Sequence, residues 1–356
     1  MEEQELISTY RRYIHRKRLF IIIFFICALC AVGLELSMGP YNIGFFESFQ
    51  IAFDHIKGVV PETPLDRTKD FVIWDIRLPR AIAGLAVGAG LGVCGAAMQS
   101  ALKNPLADPY TTGISSGASL GVAVAMILGT SALPMFSGDT MIIVNAFIFS
   151  LIPAAFIIFI SVFKKTTSTS MILIGVAVMY IFSATTSLLM LYAEPEQLAD
   201  VYIWSVGTLA KSNWDNLAYI VAGGALGVAL LWTISKRLNI LSLKDESISA
   251  LGVNAKNTRI STLVIVSLTT AVLVCFTGTI GFVGLVAPHM VRIFIGSDNR
   301  YLIPASASFG AVLLLLADVL AKQLGPAGLP VGVITAVIGG PLFLIILMKQ
   351  KKSAWD

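Results

Sequence analysis

Asp318 and Lys322 are the charged residues whose positions most suggest chemistry, because Asp318 directly follows the apolar stretch Tyr301–Ala317. A carboxylate within a membrane span indicates a functional site, such as proton or ion coupling, since an unpaired charge is costly in lipid. A lysine four residues after an aspartate is also the favourable order for an ion pair on one helix. We therefore favour an Asp318–Lys322 pair and keep ion coupling as the alternative.

The mixed-charge segment 236–259 is the second candidate site. Ser242 is predicted to cap a short helix and Gly252 to end it, with Ile248 and Leu251 on one face. Such a helix could rest on lipid or dock against a cytoplasmic partner. The residues on which either role depends are Asp245, Glu246, Ile248, Ser249, Ala250, Leu251 and Gly252.

The chain shows no pattern of an enzyme active site. The three histidines and four cysteines never approach metal-ligand spacing, and no nucleophile–base arrangement or P-loop occurs. We expect no catalytic residue, no metal site and no cofactor on this chain, and any ATP-binding site must come from another chain. Glycines at four-residue spacing (Gly84, Gly88 and Gly92) indicate close helix packing instead.

The elements that carry these residues are membrane helices. Of 356 residues, 56% are hydrophobic and 13% are charged, about half the charge of an ordinary soluble domain. The fold class is therefore all-α, a polytopic membrane protein. Uncharged runs mark the spans: Leu19–Leu34, Ala81–Leu102, Tyr110–Gly138, Thr140–Phe163, Thr166–Ala193, Asn216–Ser235, Ile260–Pro288, Tyr301–Ala317 and Gln323–Met348.

The seventh of these runs is long enough for two helices. Its Thr277–Gly281 segment is a natural break, which gives helices at roughly 260–277 and 281–296 and ten spans in total. With both termini inside, 18 of the 25 basic residues are cytoplasmic. We expect one transmembrane domain over 1–356, with cytoplasmic segments at 1–18 and 236–259. Arg77, Arg80 and Lys322 then face outward.

From Trp74 to Lys349 the chain resembles the FecCD family, the permease subunits of ABC importers for iron-siderophore complexes, haem and cobalamin. Nine motifs in order carry the resemblance. They are Arg77–Arg80, Gly95–Gln99 with Asn104–Pro109, Gly113–Ala118, Trp204–Gly207, Ala250–Gly252, Gly281–His289, Leu316–Asp318, Leu329–Gly332 and Gly339–Phe343.

The resemblance implies ten helices per subunit, two permease subunits around one pathway and a prokaryotic plasma (inner) membrane. It also implies two cytoplasmic ATPase subunits that bind ATP and Mg, and an extracytoplasmic solute-binding protein. The expected function is inward transport of a metal-chelate cargo, a ferric siderophore by preference, through a homodimer or a heterodimer. Cobalamin, haem and molybdate are other cargoes, and an ion-coupled secondary transporter is the alternative of a different class.

The resemblance also gives roles to residues. The segment holding Ala250, Leu251 and Gly252 matches the helix that couples to the ATPase. Arg77, Arg80 and Lys322 match the residues that receive the binding protein's carboxylates, where Lys322 replaces the usual arginine; headgroup anchoring is the other role open to the arginines. Helices 5 and 10 would line the pathway, through Ser183, Thr185, Thr186 and Ser187 and through Thr335. Those hydroxyls could equally bond within their own helices.

Overall fold

The computed structural model describes residues 2–164, 166–243, 245–324 and 328–349, and these ranges are all-α, with short π-helical (72–77) and 3-10 (109–112) segments. The α-helices are α1 (Glu2–Ser37), α2 (Phe45–Ile56), α3 (Pro64–Phe71), α4 (Leu78–Ala101), α5 (Ile114–Leu128), α6 (Gly138–Phe163), α7 (Ser168–Met190), α8 (Pro195–Val206), α9 (Trp214–Thr233), α10 (Ser235–Leu241), α11 (Asp245–Ala250), α12 (Ala255–Thr277), α13 (Val283–Ile295), α14 (Asn299–Gln323) and α15 (Val331–Lys349).

Seven described helical stretches are long and apolar enough to cross a membrane, which makes the chain an all-α polytopic membrane protein. They are Ser8–Ser37 of α1, Pro64–Ala101 from α3 to the end of α4, and the helices α6, α7, α9, α12 and α14. Three further apolar helices are shorter: Ile114–Leu128, Val283–Ile295 and Val331–Ile345. Each of the ten predicted segments thus coincides with an apolar helix, but the count of ten spans stays a prediction.

The predicted break in the seventh apolar run is present. Helix α12 ends at Thr277 and α13 begins at Val283, after Phe282 in the left-handed region at φ 67°. The Ile280 N–H donates to the Tyr110 hydroxyl at 3.2 Å, and the Thr208 N–H donates to the Thr277 carbonyl at 2.7 Å. The break is therefore fixed by neighbouring segments.

Helix α4 lies at the centre of the bundle, in contact with α9, α12, α13 and α14. A Cβ built on Gly88 would lie 2.5 Å from the Gly310 carbonyl oxygen, and one built on Gly95 would lie 1.7 Å from that of Gly284. The helix backbones touch at both points, and the contact at Gly88 is the close packing that the glycine spacing predicts.

Candidate functional site

Four charged side chains, three of them buried, meet where the end of α1, the start of α4 and the end of α14 come together. Arg80 donates from Nε and Nη2 to the two carboxylate oxygens of Asp318, both at 2.7 Å. Lys322 contacts the Glu35 carboxylate and donates to the Glu35 carbonyl at 3.1 Å. Arg80 Nε also lies 3.8 Å from Glu35 Oε1. Glu35 and Asp318 are fully buried, so the cluster joins three helices through charges that are paired inside the protein.

The prediction that Asp318 pairs with Lys322 is wrong, because Asp318 pairs with Arg80. Arginine holds a carboxylate through two parallel N–H groups, which a lysine ammonium cannot do, and Arg80 is placed to use both. Lys322 turns instead to Glu35 on α1. Glu35 is the functional candidate that sequence reasoning missed; its signal is a carboxylate at the end of the first apolar run.

Arg77 closes the C-terminal end of α1. Its Nη1 donates to the carbonyls of Leu36 at 2.7 Å and Ser37 at 2.9 Å, and its Nη2 donates to the carbonyl of Tyr41. These are the orphan acceptors of a helix C-terminus, which favour a cation. Arg77 is buried, so the structure uses it inside the fold rather than on the outer surface.

The predicted docking residues Arg77, Arg80 and Lys322 therefore lie in one region, at the same end of the bundle. Their charged groups are engaged with Asp318, Glu35 and the end of α1 in this conformation. Arg80 keeps 14% of its side chain exposed.

The described part of candidate segment 236–259 folds as predicted in outline. Helix α11 is short, and Gly252 follows it at φ 73°, in the left-handed conformation that ends helices. Ser242 lies at the C-terminal end of α10, where its hydroxyl donates to the Asn239 carbonyl at 2.7 Å. Ala250 is exposed; the side chains of Asp245, Glu246 and Ser249 lie outside the described residues.

Ile248 and Leu251 separate instead of sharing one face. Ile248 is fully buried, in the same apolar cluster as Leu238 and Leu241, whereas Leu251 is 58% exposed. Ile248 therefore anchors the segment to the bundle, and Leu251 is a large apolar side chain left exposed at the end of α11.

The base of this segment is fixed to α14 through Asn239. Its Nδ2 donates to Asp298 at 2.7 Å and its Oδ1 accepts from the Asn299 N–H at 2.7 Å. Burial raises the pKa of Asp298, but hydrogen bonds from Arg300 and Asn239 outweigh it and hold that pKa at about 2. A stable carboxylate therefore ties α10 to the start of α14.

Asp108 organises the connection between α4 and α5. Its carboxylate accepts from the Tyr110 N–H at 3.1 Å and begins the short 3-10 helix Pro109–Thr112. Burial raises the pKa of Asp108 to about 6, and the bond from Tyr110 only partly offsets this effect. Because Tyr110 also holds the α12–α13 break through Ile280, Asp108 positions that break indirectly.

The predicted pathway hydroxyls bond within their own helices. Thr185 donates to the Ile181 carbonyl at 2.8 Å, Thr186 to that of Phe182 at 2.9 Å and Ser187 to that of Ser183 at 3.0 Å. Thr186 is buried, whereas Ser183, Thr185 and Ser187 are exposed along α7.

Thr335, on α15, lies apart from the hydroxyls of α7. It is buried, donates to the Gly332 carbonyl at 3.1 Å and lines an apolar cavity of about 210 Å³ between α13, α14 and α15. Helix α7 packs on α5 and α6, whereas α15 packs on α13 and α14. The structure thus brings the α7 hydroxyls together, but not Thr335 with them.

Comparison with known proteins gives one consistent result. Residues 21–349 match the model of the FecCD transport family. The chain is 37% identical to the hemin transport system permease protein HmuU of Yersinia pestis, over 79% of this chain and 84% of that protein. It is 35% identical to the Fe(3+)-citrate import system permease protein YfmD of Bacillus subtilis, over 97% and 98%.

A solved structure described as a metal-chelate type ABC transporter, in an inward-facing conformation, has a similar fold. Its TM-score is 0.80 at 30% identity, over 93% of this chain and 99% of that one. The chain therefore belongs to the FecCD transport family: it is the multi-pass membrane permease of a prokaryotic, binding-protein-dependent ABC importer of the iron-chelate, haem and cobalamin class, and ATP is hydrolysed on a separate chain.

Proposed function

We propose that two copies of this chain form the pathway through which a ferric siderophore enters the cell. The observation that carries the proposal is the likeness, along nearly the whole chain, to a metal-chelate type transporter. Each copy would contribute ten spans, with both termini, residues 1–18 and residues 236–259 in the cytoplasm. The distribution of basic residues supports this orientation. A permease of this family carries no cofactor of its own.

A ferric cargo is proposed because related permeases are named for iron complexes. One relative is named for hemin and another for ferric citrate, so iron complexes recur among the proteins that this chain resembles. A ferric siderophore is a complex of the same metal, and haem or cobalamin is the alternative cargo of this class. The earlier alternative, an ion-coupled carrier, is wrong for a chain of this family. Its best candidate group, Asp318, is bound bidentately by Arg80.

The energy of ATP hydrolysis would reach this chain through the segment formed by α10 and α11. Ile248 and the Asn239–Asp298 contact hold the segment to the bundle, and Leu251 projects from it. A short, rigid segment of this kind can pass the closure of an ATPase dimer to the helices on either side. The ATPase must bind it differently in the two states, since equal binding would shift nothing. Asp245, Glu246, Ser249, Ala250 and Gly252 belong to the same proposed contact.

The binding protein would dock on the charge cluster formed by Glu35, Arg80, Asp318 and Lys322. Arg80 is the member with an exposed edge, and a partner carboxylate could share its guanidinium with Asp318. Arg77 and Lys322 would support this surface from beneath, through the end of α1 and through Glu35.

The α7 hydroxyls would line the pathway. With their protons donated within the helix, Thr185 and Ser187 offer only acceptor oxygens on an exposed face. Such a lining contacts a bulky cargo weakly, which favours its release. Thr335 would act at a second, more apolar part of the route.

Reconstitution of the permease with its ATPase and binding protein in liposomes tests the function. We expect the liposomes to take up a ferric siderophore only when ATP is present on the side of the membrane that holds the ATPase. An ATPase variant that cannot hydrolyse ATP should give no uptake. Ferric citrate, haem and cobalamin, offered in parallel, test the cargo. Preference for one of them would overturn the siderophore proposal alone; uptake driven by an ion gradient without ATPase would overturn the function.

A further inference from the structure

Helix α2, in the outer segment between α1 and α4, presents a row of exposed apolar side chains. Phe46, Phe49, Phe53 and Ile56 follow one another at helical spacing. Phe46 is 85% exposed and Ile56 is 69% exposed. Contiguous apolar rows of this kind mark a surface that meets another molecule or a membrane.

The other sides of α2 are occupied, so the direction of this row is fixed. On the inner side Ser48 is buried, and Ile51 packs on the cluster that contains Ile73. On the polar flank His55 Nδ1 lies 2.9 Å from the Asp70 carboxylate, which ties α2 to α3. The helix cannot turn its apolar row inward without breaking both contacts.

Gly33 sets the depth of α2 relative to the membrane. A Cβ on Gly33 would lie 2.6 Å from the Phe45 ring and 2.8 Å from the Phe49 ring, so both rings rest against the backbone of α1. Gly33 is four residues before the end of α1 at Ser37, or about 6 Å along the helix. The rings therefore lie beside the last turn of a membrane span, not above it.

The apolar row of α2 continues the lipid-facing stripe of α1. Ile22, Ile26 and Leu29 are exposed along one face of α1 and lead by three- and four-residue steps to Gly33. Lipid covers this stripe wherever α1 spans the membrane. Phe49 begins where the stripe ends, so the same lipid reaches α2.

We infer that α2 lies along the outer membrane–water interface, with its Phe46–Ile56 row among the lipid acyl chains. An amphipathic helix binds there with its apolar face about 5–10 Å deep at the headgroup boundary. Lys57 fits this position: its Nζ lies 4.3 Å from the centre of the Phe53 ring, so its stem covers the aromatic face while its charge can reach the headgroups.

This contact would fix more than one helix. Helix α2 packs on the π-helical segment 72–77, which runs directly into α4. Lipid that holds α2 at one depth therefore holds the outer end of the central helix, together with Arg77 and its bonds to α1.

Spin labels on the full chain test the inference, with its ATPase bound, in vesicles of phosphatidylethanolamine and phosphatidylglycerol. The four native cysteines are replaced by alanine, and a nitroxide is attached at Phe46→Cys or Phe53→Cys. Leu29→Cys serves as the lipid-facing control and Glu62→Cys, exposed beyond α2, as the aqueous control. Ile56→Cys is the substitute if either variant fails to fold.

We expect labels at positions 46 and 53 to be more accessible to oxygen than to a water-soluble nickel chelate, as at position 29 and opposite to position 62. A preference for the nickel chelate at both positions would overturn the inference, because it would place the row in water. An immobile label that neither reagent reaches would also overturn it, because a protein would then cover α2.

Discussion

Arg80 on α4 and Asp318 on α14 form a two-bond ion pair across 238 residues of sequence, with both distances at 2.7 Å. Because Asp318 is fully buried, this pair holds the start of α4 and the end of α14 in one register. The glycine contact between Gly88 and Gly310 joins the same helices further along. The ion pair and the glycine contact therefore link these two helices at separate points along their length.

The substitution Asp318→Ala should destabilise the protein by about 3–5 kcal/mol, because the largely buried Arg80 would lose its bidentate partner beside the charge of Lys322. The free energy of unfolding in mixed detergent micelles measures the loss. The double variant Arg80→Met with Asp318→Leu should recover most of it, since two packed apolar side chains replace the pair. If the double variant loses as much as the two single variants together, the pair is not the source of the effect.

Replacing Gly95→Ala should cost at least about 3 kcal/mol, near the upper end of what overpacking usually costs. The new methyl would meet the Gly284 carbonyl at 1.7 Å, and a backbone group cannot rotate away as a side chain can. Thermal unfolding in detergent measures the change. The matched control is Gly281→Ala, where a Cβ meets nothing within 4 Å. Equal effects at the two positions would argue against the backbone contact.

The apolar helices were predictable because the pattern that places a segment in lipid is local. The break after Thr277 was predictable for the same reason, since a Thr-Gly-Thr-Ile-Gly sequence interrupts a helix wherever it lies. The glycine spacing likewise indicated helix contacts that the structure contains.

Partners distant in sequence were not predictable in this way. Asp318 has a lysine at ideal helical spacing, yet the guanidinium of Arg80 reaches it from another helix with better geometry. Ile248 and Leu251 have the same spacing, and only the packing of Leu238 and Leu241 decides which of the two is buried. Glu35 was overlooked because its partner Lys322 lies at the other end of the chain.

The stability of the protein should change with pH because Asp108 takes up a proton. Its pKa is raised to about 6 by burial, from the model-peptide value of 3.8, so the folded state holds the proton more tightly than the unfolded state. Protonated Asp108 therefore stabilises the folded state fully below about pH 4. This stabilisation, up to about 3 kcal/mol, is lost as the pH rises to about 6.

Asp108→Asn should remove this dependence while its side-chain oxygen still accepts from the Tyr110 N–H. Compared with wild type, the variant should gain stability as the pH rises from 4 to 7, measured by unfolding at each pH. Asp139→Asn, at an exposed position, is the control and should track wild type. A constant difference between Asp108→Asn and wild type across this range would contradict the assignment.

Leu251→Asp should weaken binding of the ATPase by about 30-fold and reduce ATP-driven uptake accordingly, if Leu251 contributes the roughly 2 kcal/mol of an interface hot spot. The side chain is exposed and makes the apolar tip of the segment, so its loss should leave folding and membrane insertion unchanged. Affinity is measured between the purified permease in nanodiscs and the ATPase.

Ile248→Ala is the matched change on the same short helix. Its side chain is fully buried, so the variant should lose about 2–5 kcal/mol of stability while the exposed tip is kept. The two variants thus separate anchoring from contact, although their residues are only three positions apart. Unchanged ATPase affinity in Leu251→Asp, together with normal uptake, would move the coupling contact to another part of the cytoplasmic surface.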